Sequence, residues 1–67
     1  MINAASLRQK MNQSGYKTNY IANKLGITMQ ALLNKLNGKS EFKISEIQLL
    51  KETLSLTNEE INDIFLF

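Results

Sequence analysis

The fold is decided by residues 21–38, which read IANKLGITMQALLNKLNG. Gly26 lies between two segments of helical spacing and permits the positive φ that a sharp turn requires. Thr28 is then a good N-cap for a helix predicted over 29–37. Ala22 is small enough for a close crossing of the two helices, and Ile27 is expected to return to the core. The pattern therefore predicts two short helices hinged at Gly26.

The rest of the chain extends this pattern to five short helices. Helices are predicted over 4–13, from 17 or 18 to 25, over 29–37, for about ten residues after an N-cap at Ser45, and after Thr57. Ser45 with Gln48 and Thr57 with Glu60 resemble capping boxes. No segment alternates with the period of a strand. We predict one all-α domain, residues 1–67, built as a compact bundle of five short helices that contains a helix-turn-helix.

Apolar spacing also predicts which side chains fill the core. Phe42 and Ile44 are expected to anchor the connector after the third helix, and Leu56 to point inward before the fifth. Tyr16 and Tyr20 are expected to pack against the first helices. The predicted core comprises Leu7, Met11, Ile21, Leu25, Ile27, Leu32, Leu36, Phe42, Ile47, Leu50 and Leu54.

Composition narrows the function classes. The 67 residues include neither cysteine nor histidine, which removes thiolate metal sites and the commonest general base. We expect no enzymatic activity, no metal, no cofactor, no signal peptide and no membrane span, with the cytoplasm as the compartment. Residues 1–40 carry six basic residues and no acid, whereas residues 41–67 carry two lysines and six acids, so a net charge of +2 divides into +6 and −4. Such polarity favours an anionic partner for the first half.

Residues 17–39 resemble the helix-turn-helix of the phage Cro and C1 repressor family, an XRE-like group. The resemblance is carried by LGITMQAL at 25–32 and LNGK at 36–39. The run FKISEI at 42–47 also resembles small phage-encoded regulators of Gram-positive hosts. The resemblance to the Cro and C1 family implies a lambda-repressor-like DNA-binding domain and a sequence-specific transcriptional repressor. Such a protein would insert the helix of residues 28–37 into the major groove of a double-stranded operator, as a two-fold homodimer.

The resemblance also implies roles for individual residues. Base contacts are expected from Met29, Gln30, Leu33 and Asn34. Phosphate contacts are expected from Lys17, Thr18, Thr28, Lys35, Asn37 and Lys39. The dimer contact is expected from the last helix and the residues after it, through Ile61, Ile64, Phe65 and Phe67, although Phe65 and Phe67 are equally compatible with buried anchors.

Two other functions fit the same fold. Met29 and Leu33 are apolar where relatives are usually polar. This is also compatible with an antirepressor-like modulator that binds another repressor protein through the helix predicted over 29–37. An antitoxin-like regulator paired with a toxin is the third possibility. Binding to the chain's own upstream DNA distinguishes the first function from the second.

Overall fold

The computed structural model describes residues 2–66, and this part of the chain forms five helices and no strand. The helices are α1 (Ala4–Ser14), α2 (Thr18–Leu25), α3 (Met29–Leu36), α4 (Ile44–Thr53) and α5 (Asn58–Phe65). The prediction of an all-α bundle of five short helices is confirmed. The first three helices begin and end within about one residue of the predicted positions, and the last begins directly after Thr57 as predicted.

Local chemistry explains most helix ends. Gly15 and Gly26 adopt φ of 76° and 72° directly after α1 and α2, the left-handed conformation that favours glycine. The Thr28 hydroxyl accepts the N–H of Ala31 at 3.0 Å and caps α3. Thr57 and Glu60 form a reciprocal capping box at α5, with bonds of 3.1 and 2.9 Å. These caps agree with the sequence pattern because they depend on residues three or four positions apart.

The start of α4 differs from the prediction. Lys43, not Ser45, is the N-cap residue, and the Glu46 carboxylate accepts the Lys43 N–H at 2.8 Å. A carboxylate near a helix N-terminus is favoured by the dipole as well as by this hydrogen bond, so Glu46 sets the start of the helix. Ile44 therefore lies on the outer face with 73% of its surface exposed, and its expected inward role is wrong. Phe42 does point inward, and its ring meets that of Phe65 edge-on at 5.5 Å.

One core joins all five helices. Helix α2 packs against α3 and α4, and α1 packs against α5. The Asn3 N–H also donates to the Ile64 carbonyl at 2.6 Å, which ties the start of α1 to α5. The buried apolar side chains are Leu7, Met11, Ile21, Ala22, Leu25, Leu32, Leu36, Leu50, Leu56, Ile61, Ile64 and Phe65, with Ile27, Phe42, Ile47 and Leu54 packed partly buried against them.

Two expectations about burial fail in opposite directions. Tyr16 and Tyr20 are not buried against the first helices: they are 46% and 41% exposed and stack on each other with ring centroids 4.7 Å apart. Ile61, Ile64 and Phe65, expected at a dimer contact, are instead buried within the single chain. The apolar face of α5 is buried because α5 packs against α1. Within residues 2–66 no helix combines the length and apolar character needed to cross a bilayer.

Candidate nucleic-acid interface

Helices α2 and α3 are joined by a three-residue turn held by backbone hydrogen bonds. The Ile27 N–H donates to the Ala22 carbonyl at 3.1 Å, and the Gly26 N–H donates to the Asn23 carbonyl at 3.0 Å. Ile21, Ala22 and Leu25 fix α2 on the core, and Leu32 and Leu36 fix α3. Because both helices are held by their inner faces, the opposite face of α3 is directed to solvent.

The outer face of α3 begins with three side chains that sequence analysis placed there. Met29 is 44% exposed, Gln30 is exposed and Asn34 is partly exposed. The Gln30 Nε2 donates to Asn34 Oδ1 at 3.1 Å, one helical turn away. This hydrogen bond does not use the Gln30 carbonyl oxygen or the Asn34 amide N–H groups, and amide oxygens and N–H groups are what glutamine and asparagine use to bond adenine.

Leu33, like Asn34, is half-buried. Its side chain is partly buried against the core, and it lines a small groove between α1, the start of α2 and α3. Leu33 is therefore less exposed than the sequence predicted, and its contact with a base stays a prediction. The groove is lined by Arg8, Met11, Asn12, Tyr16, Thr18, Leu33 and Leu36.

Lys35, expected to contact phosphate, is a buried residue of the core. Its side chain is 10% exposed, its ammonium lies 3.1 Å from Glu46 Oε1, and it donates to the Glu41 carbonyl at 3.0 Å. Burial raises the pKa of Glu46, but the N–H of Lys43 and the ammonium of Lys35 outweigh this effect and hold that pKa below its ordinary value. The pair links the end of α3 to the start of α4. Lys35 has no free charge to offer to DNA, and its predicted role is wrong.

The remaining predicted phosphate contacts lie around the ends of α2 and α3. Lys17 is exposed as the N-cap residue of α2, where no side chain caps the first turn, and Thr18 borders the groove. Thr28 is exposed, but its hydroxyl oxygen already accepts the Ala31 N–H. Asn37 ends α3, and Lys39 is exposed just beyond it. Of these five residues four are exposed and Thr18 is half-buried, and their contacts with phosphate stay a prediction.

Arg8 is a residue of this surface that sequence analysis missed. Its Nη2 donates to Asn37 Oδ1 at 2.8 Å, which brings the exposed guanidinium of α1 to the end of α3. The two residues are 29 positions apart, so no local pattern predicts the contact. The only signal for Arg8 in the sequence is its position within residues 1–40, which contain no acidic residue.

The six basic side chains of residues 1–40 fall into two groups, those with an acidic partner and those without one. Lys10 forms an ion pair with Glu60, and Lys35 with Glu46. In the part of the chain that the structure describes, no carboxylate lies within 4.0 Å of Arg8, Lys17, Lys24 or Lys39. Arg8 lies on α1 and bonds Asn37 at the end of α3, Lys17 directly precedes α2, and Lys39 follows α3 by three residues.

The last helix contributes nothing to this surface. Ile61, Ile64 and Phe65 are internal, so they do not form the predicted dimer contact, and Phe67 lies outside the described residues. Among residues 2–66 there is no group of three acidic, histidine or cysteine side chains arranged to hold a metal ion.

Comparison of the chain with models of protein families, with curated proteins and with solved structures found no significant match.

Proposed function

We propose that the chain is a sequence-specific DNA-binding regulator of transcription, acting as a Cro-like repressor in the cytoplasm of a bacterial cell. The single observation that carries the proposal is the outward Gln30–Asn34 amide pair on α3, directly after the turn at Gly26. An α-helix about 10–12 Å wide fits the major groove, which is about 12 Å wide. Side chains near the start of such a helix are the ones that contact base edges.

The cations support the same proposal. Arg8, Lys17 and Lys39 have no carboxylate partner among the described residues, and they are distributed around α3 on different elements. Phosphate contacts of this kind set the register of a protein on DNA without reading its sequence. The first turn of α2 also lacks a side-chain cap, so its N–H groups are available to a phosphate.

A salt titration measures how many phosphates the protein neutralises when it binds DNA. Each neutralised phosphate contributes about 0.9 to the slope of log K against log salt concentration. Three cations per subunit and two subunits per operator therefore predict a slope of about −5. The measurement is fluorescence anisotropy of a labelled fragment from the DNA upstream of the gene, at several salt concentrations.

Reading of bases is tested with Gln30→Ala combined with Asn34→Ala. We expect a loss of about 1–3 kcal/mol for each lost base contact on the operator, and little change on random DNA. Gln13→Ala combined with Asn62→Ala is the matched control, because it removes the same two amides from exposed positions on α1 and α5. If the Gln30/Asn34 variant kept the wild-type preference for the operator over random DNA, the assignment of α3 as the reading helix would be refuted.

One observation favours a second function, an antirepressor-like modulator that grips another repressor. Met29 is 44% exposed at the start of α3, and a flexible apolar side chain suits a protein partner. The burial of Leu33 reduces the apolar surface that such a partner would use. Size exclusion of the chain mixed with a co-encoded repressor distinguishes the two. A stable complex that Met29→Ala disrupts, together with no operator binding by the chain alone, would favour the modulator.

A further inference from the structure

The side chains of α3 limit which base edges this helix can recognise. Helix α3 has the sequence MQALLNKL, and its buried residues are Leu32, Lys35 and Leu36. Its exposed or half-buried side chains are two amides and three apolar groups, Met29, Gln30, Ala31, Leu33 and Asn34. Every side-chain donor or acceptor that α3 can offer to a base pair therefore belongs to the amide of Gln30 or Asn34.

Helix α3 has no exposed cation with which to read guanine. Arginine and lysine make the commonest specific contact with guanine, through its acceptors O6 and N7. Lys35 is the only charged residue of α3, and its ammonium lies 3.1 Å from Glu46 Oε1 with the side chain 10% exposed. Arg8 donates to Asn37 Oδ1 at the end of the helix, about 12 Å along the axis from Met29 at about 1.5 Å per residue. Because base contacts come from residues near the start of such a helix, neither cation is placed to read guanine.

The amides match adenine better than the other three bases. An amide offers one donor and one acceptor side by side, and adenine presents the complementary acceptor N7 and donor N6–H in the major groove. Guanine presents two acceptors there, so the amide oxygen would face an acceptor and stay unpaired, whereas cytosine and thymine each present one hydrogen-bonding group. The Gln30 Nε2 donates one N–H to Asn34 Oδ1 at 3.1 Å. That bond leaves the carbonyl oxygen and the second N–H of Gln30 for a base.

Met29 adds an apolar contact beside this amide. It directly precedes Gln30 at the start of α3, and its side chain is 44% exposed. Thymine is the only base that presents a methyl group in the major groove, and apolar side chains pack on that group. An unbranched thioether is flexible enough to fit such a contact. The first two residues of α3 are therefore suited to the two bases of an A·T pair or of neighbouring A·T pairs.

We infer that α3 reads A·T base pairs alone. Gln30 bonds an adenine, Asn34 is the positioning residue that holds the Gln30 amide, and Met29 packs on the 5-methyl group of a thymine. The inference rests on the proposed function, because it names the bases that the proposed reading helix selects. Guanines and cytosines of the operator are then not read by α3.

The experiment replaces single atoms of the operator and measures binding of the full chain by fluorescence anisotropy. The operator is first selected by the chain from a library of duplexes with random sequence. Uracil in place of thymine removes the methyl group, 7-deazaadenine removes N7 of adenine, and 7-deazaguanine removes N7 of guanine. Each thymine, adenine and guanine of one half-site is replaced singly.

The expected losses differ between the three replacements. At one thymine, uracil should weaken binding about fourfold, as expected for one buried methyl group. At one adenine, 7-deazaadenine should weaken binding about tenfold, because one bond of a bidentate pair is lost. No 7-deazaguanine should weaken binding measurably.

Three variants assign these losses to residues. Met29→Ala should abolish the effect of uracil and keep that of 7-deazaadenine, and Gln30→Ala should do the reverse. Each of these two variants is the control for the other, because the effect that it keeps shows that it still folds and binds. Asn34→Ala should reduce the effect of 7-deazaadenine and leave that of uracil unchanged, which a general loss of folding would not do.

The possible failures separate the inference from the proposed function. A larger loss with 7-deazaguanine than with 7-deazaadenine would overturn the inference alone, because the chain would still select its operator. An operator insensitive to uracil and to 7-deazaadenine would also overturn it, as would a uracil effect that persists in Met29→Ala. If the library yields no preferred sequence, the proposed function fails and the inference fails with it.

Discussion

Replacing Lys35 with methionine should destabilise the protein strongly, because it leaves the carboxylate of Glu46 buried without its partner. The two charged groups lie 3.1 Å apart with side-chain exposures of 10% and 7%. Removing one member of such a pair costs about 3–5 kcal/mol. Glu46 keeps its hydrogen bond from the Lys43 N–H, so we expect about 3 kcal/mol, at the lower end of that range. A chain of 67 residues has a free energy of unfolding of roughly 3–10 kcal/mol. A loss of about 3 kcal/mol would therefore leave the variant half unfolded at the lower end of this range and folded with reduced stability at the upper end.

The assay is urea unfolding followed by circular dichroism, for Lys35→Met, Glu46→Gln and the double variant. Glu46→Gln alone leaves the Lys35 ammonium buried with the Glu41 carbonyl as its remaining partner, so it should also be costly. The double variant buries a neutral amide beside a thioether, and the glutamine oxygen can still accept the Lys43 N–H. We expect the double variant to be more stable than either single variant.

The pH dependence follows from the same contacts. The pKa of Glu46 lies below its ordinary value, so its contribution to stability is present above that ordinary value and is lost as the pH falls through the folded-state pKa. In Lys35→Met the carboxyl group protonates more readily, so the deficit relative to wild type should shrink in acid. A double variant that loses as much stability as the two single variants combined would refute the reasoning, as would a deficit independent of pH.

The remaining predictions concern the DNA-binding surface and the helix ends. Arg8→Gln should weaken operator and random DNA alike and reduce the salt slope by about 0.9 for each subunit, measured by anisotropy titration; an unchanged slope would remove Arg8 from the phosphate contacts. Gly26→Ala should cost about 1–2 kcal/mol in urea unfolding, because φ is 72° and no atom lies within 4 Å of the added Cβ, so the backbone alone bears the strain. Thr28→Ala should cost about 1 kcal/mol in the same assay through loss of the α3 cap, and Thr28→Ser should restore most of it. The pKa of Glu60 is lowered by the Lys10 side chain and the Thr57 N–H, so its stabilisation is present above the ordinary pKa and fades as the pH falls through the folded-state pKa. Glu60→Gln should therefore lower the melting temperature at neutral pH and flatten its decline in acid; an unchanged melting temperature at neutral pH would contradict this.

Local sequence chemistry was sufficient to predict the helices and the turn that positions α3. Gly26, Thr28 and the Thr57–Glu60 pair act on residues within four positions of themselves, so their effects are visible in the sequence. The outward placement of Met29, Gln30 and Asn34 also follows from local spacing, because the inward positions of α3 are apolar. These elements account for the fold class and for most of the candidate site.

The errors arose where a distant residue decides the outcome. Lys35 looked like a surface lysine because its partner Glu46 is eleven positions later and on another helix. Ile61, Ile64 and Phe65 looked like an exposed apolar face because nothing in α5 shows that α1 lies against it. Arg8 was missed for the same reason, since its partner Asn37 is 29 positions away. Periodicity shows which face of a helix is apolar, but only the tertiary arrangement shows what covers that face.

The tertiary ion pairs also reduce the number of basic side chains in the first half of the chain that are available to DNA. By sequence the first forty residues carry +6 and the rest −4, which is typical of a chain with a broadly basic half. In the structure the acids Glu46 and Glu60 neutralise Lys35 and Lys10, the first in the core and the second on the surface between α1 and α5. Within residues 1–40, the positive charge without an acidic partner in the described chain is therefore confined to Arg8, Lys17, Lys24 and Lys39. Lys35→Met at a temperature where it stays folded should accordingly leave the salt slope of DNA binding unchanged, whereas Lys39→Gln should reduce it by about 0.9 per subunit. Equal effects of the two substitutions would contradict this. They would mean that the Lys35 ammonium dissociates from Glu46 and binds a DNA phosphate in the complex.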